Sequence, residues 1–412
     1  VVSIREKFFY PTVALFWFAL YVYVPFLSPY LMTIGIAATT IGLVAGVYGV
    51  SQLILRIPLG ILGRIAGNHK LIIGIGLLLS CFTFILPLFS HSWVCFFITR
   101  LLAGAACSTW INYTAYMLEG AGSSANRRMG YVMACNTGGI CLSQFVGMLF
   151  YEHIGINGLF IIASAASGVA FLLLLLTPFY KGGVNGDLTG AGAPDHSLQG
   201  GETEIIQKNA GENSFSAAMT MFAEVIKNRQ LWLCSIIMSL SWWVLFSTNY
   251  SFTGVYAKDV LGTSGMHLGL IAFVAQVASV ATSLSLGRLG KYKLPERKIL
   301  VVAFLFAAVY ALLTPFCRSD NALVALQIVG GITYAIPNVL LFANAGRELS
   351  DKQQILSMGV FQSVYSFGMV FGPAITGILY DLTGSYVIAF AQIAFIALFA
   401  AFLTFLQYRD SK

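Results

Sequence analysis

Arg100 is the residue whose type and position most need a chemical explanation. It lies well inside a long apolar stretch, SWVCFFITRLLAGAACSTW. A cation at that depth in a membrane helix costs about 2.5–3.5 kcal/mol on insertion scales. A carboxylate would ordinarily offset that cost, yet no Asp, Glu or His stands in the middle of any apolar stretch. Glu119, Glu152, Asp259, Glu348 and Asp381 fall at stretch ends, and His69, His91, His153, His196 and His267 fall in turns or in a polar segment. Two roles remain for Arg100. It faces an aqueous cavity and attracts an anionic or carbonyl-bearing solute, or it bonds neighbouring carbonyls and snorkels outward. Helical spacing puts Gly104, Cys107, Ser108 and Ile111 on its face, which is small and mildly polar.

Aromatic rings and amides supply the rest of a solute site. Trp17 and Tyr21 lie in the first apolar stretch, which Pro25 and Pro29 are expected to bend. Trp242, Trp243, Asn249 and Tyr250 lie in the seventh. Trp242 and Asn249 are seven residues apart, as are Trp243 and Tyr250, so each pair is expected to share a helix face. Asn112, Asn338, Gln362 and Tyr365 complete the substrate-binding candidates. Rings with a few amides suit an organic solute. The competing reading is packing for the rings and bonding between helices for the amides.

Other chemistries lack their motifs. There is no GxxxxGK[ST], HExxH or GxSxG, so neither an ATPase nor an enzyme is expected. The seven cysteines are scattered through apolar runs with no CxxC or Cys/His spacing, so no metal or other cofactor is expected.

These residues need membrane helices to hold them. Of the 412 residues, 58% are hydrophobic and 9% charged, with mean hydropathy +0.81. Soluble domains carry about 25% charged residues. Twelve runs are long enough to span the ~30 Å hydrocarbon core, near 8–31, 40–62, 70–90, 93–118, 130–151, 155–180, 230–255, 266–287, 298–316, 322–346, 354–380 and 385–408. The first is expected to be a helix of the mature protein and not a cleaved leader. Residues 181–229 read as a polar linker, ending in an amphipathic surface helix over Ser214–Asn228. The expected fold is an all-α membrane protein with bundles at 1–180 and 230–412.

Charge sets the orientation. Of 23 Lys and Arg, only Lys258 and Arg318 fall in one set of turns, and Arg56 and Arg100 fall within spans; all others lie with the termini and linker. The positive-inside rule makes that side cytoplasmic. The net charge of +7 is explained by these turns and does not point to nucleic acid.

The two halves repeat one another. Leu62-Gly63-Arg64 recurs as Leu286-Gly287-Arg288 in the second half. Arg100-x-x-x-Gly104 corresponds to Gln327-x-x-x-Gly331, Asn112 to Asn338, and Gly139 to Gly368, all in the same order and at nearly the same offset. Six plus six spans in a duplicated chain is a transporter arrangement, with its site between the halves.

At these residues the chain resembles the major facilitator superfamily over essentially its whole length. Gly60-Ile-Leu-Gly63-Arg64-Ile65-Ala66-Gly67-Asn68-His69-Lys70 stands where that family has its loop between spans two and three, roughly G-x-L-A-D-R-x-G-R-R. The glycines at 60 and 67 agree, while Arg64 replaces the family's acid and Ile65 its Arg. Arg100-Leu-Leu-Ala-Gly104 is similar to its span-four R-x-x-x-G. Gly368–Gly377 (GMVFGPAITG) is similar to its G-x-x-x-G-P packing motif, here in span eleven; the span-five copy has Ser143-Gln144 instead of Gly-Pro. The resemblance implies two six-helix halves related by pseudo-two-fold symmetry, alternating access, spans one, four, seven and ten lining the cavity, and a monomer. It also implies a gate at the cytoplasmic ends, where Arg56, Arg64, Arg288 and Glu119 are the candidates, Glu119 standing in for the missing acid.

Together these readings favour a secondary transporter in the cytoplasmic membrane, in contact with lipid, that exports an amphipathic or anionic organic solute. Uptake or facilitated diffusion of an organic anion is the alternative. A lipid flippase or a non-transporting sensor on the same scaffold comes next.

Overall fold

In the computed structural model, residues 4–118, 124–178, 220–289, 295–347, 349 and 351–408 are described. Apart from short turns they are helical, and eleven helices are long and apolar enough to cross a membrane. One of them, Arg127–Leu176, is 50 residues long and accounts for two of the twelve expected spans. It is divided at Gly155, whose φ of 64° and ψ of −170° are non-helical. Arg128 bonds Glu6 at 3.1 Å, and the Ala170 carbonyl accepts from Thr12 at 3.4 Å. A straight helix would hold residues 128 and 170 about 60 Å apart at 1.5 Å per residue. Both instead touch the first helix within two turns, so the chain reverses at Gly155. Gly384, at φ 64°, makes the matching reversal between spans eleven and twelve, at the equivalent place in the second half. Glycine is the residue that adopts this backbone without strain.

Spans one, four and seven are broken where they reach the centre. Span one is Ile4–Tyr21 and Val24–Thr33, the break falling just before Pro25, which has no N–H to donate to the carbonyl four residues back. Span four is Trp93–Ser108 and Trp110–Leu118. Span seven runs from Arg229 to Ser247, passes through a π-helical turn at Thr248–Phe252 and resumes as Thr253–Leu261. The others are spans two (Ala38–Ala66), three (His69–Thr83), eight (Gly265–Leu289), nine (Glu296–Leu313), ten (Asp320–Ala345), eleven (Asp351–Thr383) and twelve (Tyr386–Gln407).

The repeat is visible in how helices meet. A Cβ on Gly104 would lie 2.3 Å from the Tyr48 carbonyl, and one on Gly331 2.1 Å from the Ala275 carbonyl. The two glycines are separated along the chain by the same interval as the two carbonyls they meet. Span four therefore presses on span two as span ten presses on span eight, at a distance only glycine allows. Leu172, Leu284, Phe402 and Phe405 are among the large apolar side chains left on the outside, where lipid covers them.

Of the linker, Thr220–Val225 are helical and Val225 is fully buried, so the described end of the expected surface helix packs into the bundle. Linker residues 181–219, including 214–219, lie outside the described residues.

Candidate functional site

The broken helices bring two arginines and a run of rings together at the centre. Arg100, on span four, is 4% exposed. Its guanidinium lies over the Tyr48 ring at 4.4 Å, donates to the Tyr23 hydroxyl at 3.3 Å and reaches the Ala45 carbonyl at 3.5 Å. The break in span one puts Tyr23 there. Arg56, on span two, is 2% exposed. It donates to the Tyr365 hydroxyl at 2.8 Å, the Gln362 carbonyl at 3.5 Å and the Cys107 sulfur at 3.8 Å. Only the bond to Tyr365 is short, and the Nε of each arginine is buried with no partner. Among the described residues, no carboxylate pairs with either. Two buried guanidiniums thus share a neighbourhood around Tyr48 and Cys107 with spare donors and no counter-charge.

Aromatic side chains wrap this pair in an unbroken series. Trp110 meets Trp17 edge-on at 5.1 Å, Trp17 meets Tyr21 at 5.8 Å, and Tyr21 meets Tyr250 at 5.4 Å. Tyr250 meets Phe246 at 5.1 Å, and Phe246 meets Trp242 at 5.5 Å. Trp242 then stacks flat on Tyr365 at 4.9 Å and stands edge-on to Tyr334 at 5.7 Å. The series crosses spans four, one, seven, eleven and ten.

An amide cluster adjoins it. Asn249 lies in the π-helical turn; its Oδ1 accepts from the Tyr310 hydroxyl at 2.9 Å and lies 3.0 Å from the Thr248 hydroxyl. Tyr310 also lies 3.1 Å from Gln327 Oε1. A small cavity beside Asn249 is lined by Gln144, Tyr250, Gln276, Ser279 and Tyr334; its volume of about 10 Å³ has room for one water. Gln144 Oε1 is buried there without a partner.

Several expectations change. Trp242 lines up with Tyr250 through Phe246 and not with Asn249. Trp243 does not share the face of Tyr250; its indole N–H donates to Gln392 on span twelve. The π-helical turn inserts a residue into the register, so a seven-residue spacing no longer returns to one face. Arg56 sits in the centre with Gln362 and Tyr365 and not at the helix end proposed for a gate. Asn112 faces away from the rings: its Nδ2 donates to the Leu59 carbonyl at 3.3 Å and its Oδ1 meets His69 Nδ1 at 2.8 Å. It ties spans two, three and four. Asn338 is half-buried one turn from Tyr334. Arg288 is exposed at the end of span eight. The Arg64 side chain and Glu119 lie outside the described residues.

Tyr48, Trp110, Phe246, Tyr310 and Tyr334 were not singled out. Gly104 marks a close approach to another helix, but only the placed helices show that Tyr48 is the residue it meets.

The twelve spans agree with the comparison to known families. The Major Facilitator Superfamily profile matches residues 9–320 and 231–412. The chain belongs to the Major Facilitator Superfamily. It is a multi-pass membrane transporter of small molecules and not an enzyme. An uncharacterized MFS-type transporter of Methanocaldococcus jannaschii is 22% identical over 372 residues, 87% of each chain. Among solved structures, the nucleoside transporter NupG superposes with a TM-score of 0.73 at 17% identity, over 99% of this chain and 100% of that one. A bacterial homolog of the human lysosomal transporter Spinster, in an inward-facing and unoccupied conformation, superposes with a TM-score of 0.68 at 14% identity, over 98% and 97%. As a member of the superfamily the chain is a secondary transporter.

Proposed function

We propose that the protein carries a small aromatic or amphipathic organic anion across the cytoplasmic membrane by alternating access between bundles 1–180 and 230–412. Both termini and the 181–229 linker lie in the cytoplasm, and export is the favoured direction. The observation that supports this reading is the pair of buried guanidiniums with spare N–H donors and no carboxylate. An anion would take up those donors and offset the cost of burying two charges. The ring series would stack the solute's apolar part, and Asn249 with Gln144 would bond a hydroxyl or amide on it.

The test is uptake of radiolabelled aromatic monocarboxylates, such as benzoate and its hydroxylated derivatives, into proteoliposomes. Arg100→Ala and Arg56→Ala should each lower flux about ten- to hundredfold, the scale of losing a charged hydrogen bond. Flux of neutral analogues matching that of the acids, indifferent to both substitutions, would sink the anion assignment.

A further inference from the structure

The end of the bundle opposite the termini is closed by two matched contacts between the halves. At the end of span eleven, Asp381 accepts from the backbone N–H of Ala38 at 3.1 Å and of Thr39 at 2.7 Å, the first residues of span two. At the end of span five, Glu152 accepts from the N–H of Met266 at 3.2 Å, in the first turn of span eight. Glu152 and Asp381 stand at the same offset as the Gly155 and Gly384 reversals. Thr39 and Met266 stand at the same offset as Gly104 and Gly331. The duplicated chain therefore carries one contact twice, each half lending a carboxylate to a helix of the other.

The chemistry of the contact is specific. The opening N–H groups of a helix have no partner within it, and the helix dipole makes that end positive. A carboxylate satisfies both at once. Here the acid comes from across the interface, so the bond exists only while the halves stay together at this end. The backbones approach closely beside each acid: a Cβ on Gly377 would lie 2.2 Å from the Ala38 carbonyl, and one on Gly269 2.4 Å from the Met148 Cα. Pro29 of span one also lies against Gly254 of span seven, and Ser28 and Ser251 meet at 3.5 Å, but those contacts carry no charge.

We propose that Glu152 and Asp381 are the gating residues of this end, a pair of reciprocal carboxylate latches that hold it shut and release together when the halves rock. This rests on the alternating-access reading above. They are positioning residues: they touch no solute and set only the balance between the two faces. Because the latches work in parallel, losing one should shift that balance part of the way and losing both the whole way.

Cys107, at the centre and 1% exposed, serves as the reporter. With the other six cysteines replaced by Ser or Ala, its reaction with a membrane-impermeant maleimide is followed from each face in oriented vesicles. Glu152→Ala with Asp381→Ala should raise labelling from the face opposite the termini about three- to thirtyfold and lower it from the terminus face. Each single variant should give an intermediate shift, and Glu152→Asp with Asp381→Glu should restore most of the original ratio. The neutral pair Glu152→Gln and Asp381→Asn keeps an acceptor but loses the charge, and should lie between; it stands in if the alanine pair does not fold. Labelling from both faces that either neutral pair leaves unchanged, or raises alike, overturns the latches and leaves alternating access intact. Labelling from one face alone in every variant removes alternating access itself, and the latches with it.

Discussion

At the residue scale, the centre turns on what surrounds each guanidinium. Arg100 rests on the face of Tyr48, with a single side-chain partner in Tyr23. A ring face attracts a desolvated cation with roughly 2 kcal/mol, which is less than burying it costs. Tyr48 therefore holds Arg100 without neutralising it. Tyr48→Phe keeps the ring and should leave transport within about threefold; Tyr48→Leu should reduce it about tenfold. Anion flux in proteoliposomes separates the two, and equal losses would show that the hydroxyl and not the ring matters. Arg56 depends on one strong bond, to the Tyr365 hydroxyl. Tyr365→Phe should weaken binding by about 1 kcal/mol, about fivefold in KM with kcat kept. The chemistry at Arg100 was legible in sequence because a lone charge in an apolar run is rare. Its cradle was not, since Tyr48 and Tyr23 look like any apolar-run tyrosine until the helices are placed.

At the element scale, the π-helical turn at Thr248–Phe252 decides which residues of span seven face the centre. Thr248 donates its hydroxyl to the Val244 carbonyl at 2.7 Å, the same carbonyl that its backbone N–H bonds. The turn sets Trp242, Phe246 and Tyr250 in one series and sends Asn249 to Tyr310. Deleting Thr248 would let the turn close into regular α-helix and shift the residues within it, Tyr250 among them, by part of a turn while leaving the helix beyond it in place. Tyr250 would then leave Tyr21, and transport should fall to background while the protein still elutes as a single species on gel filtration. Retained transport would mean that the turn is incidental. Helix existence was readable throughout from apolar run length. The register of span seven was not, because no residue type marks a π turn, and the seven-residue spacing assumed an unbroken helix. The reversal at Gly155 was readable, since the run from 130 to 180 is too long for a single crossing.

At the scale of the whole molecule, the two central cations set the cost of moving without cargo. An empty carrier must pass through its closed form with both guanidiniums desolvated, whereas a loaded one carries its own counter-charge. Loaded reorientation should therefore be faster than empty reorientation. Anion preloaded inside proteoliposomes should accelerate entry of labelled anion about tenfold or more over empty vesicles. Equal rates in the two preparations would contradict this. The duplication behind this design was legible from Leu62-Gly63-Arg64 and its copy. The reciprocal acids were not: Glu152 and Asp381 resembled ordinary turn residues, and the gate expected from sequence, at Arg56, Arg64, Arg288 and Glu119, concerns the other end of the bundle.

The reciprocal contacts at that end also bear on how the protein is made. Each acid stands just ahead of a chain reversal, Glu152 before Gly155 and Asp381 before Gly384. The helical hairpin that forms within one half thus carries the group needed by a helix of the other. During synthesis the first half emerges with the start of span two still uncapped, and it stays so until the end of span eleven has been inserted. Assembly of the two halves is thereby checked late and in both directions, by helix-end N–H groups that each half offers to a carboxylate of the other.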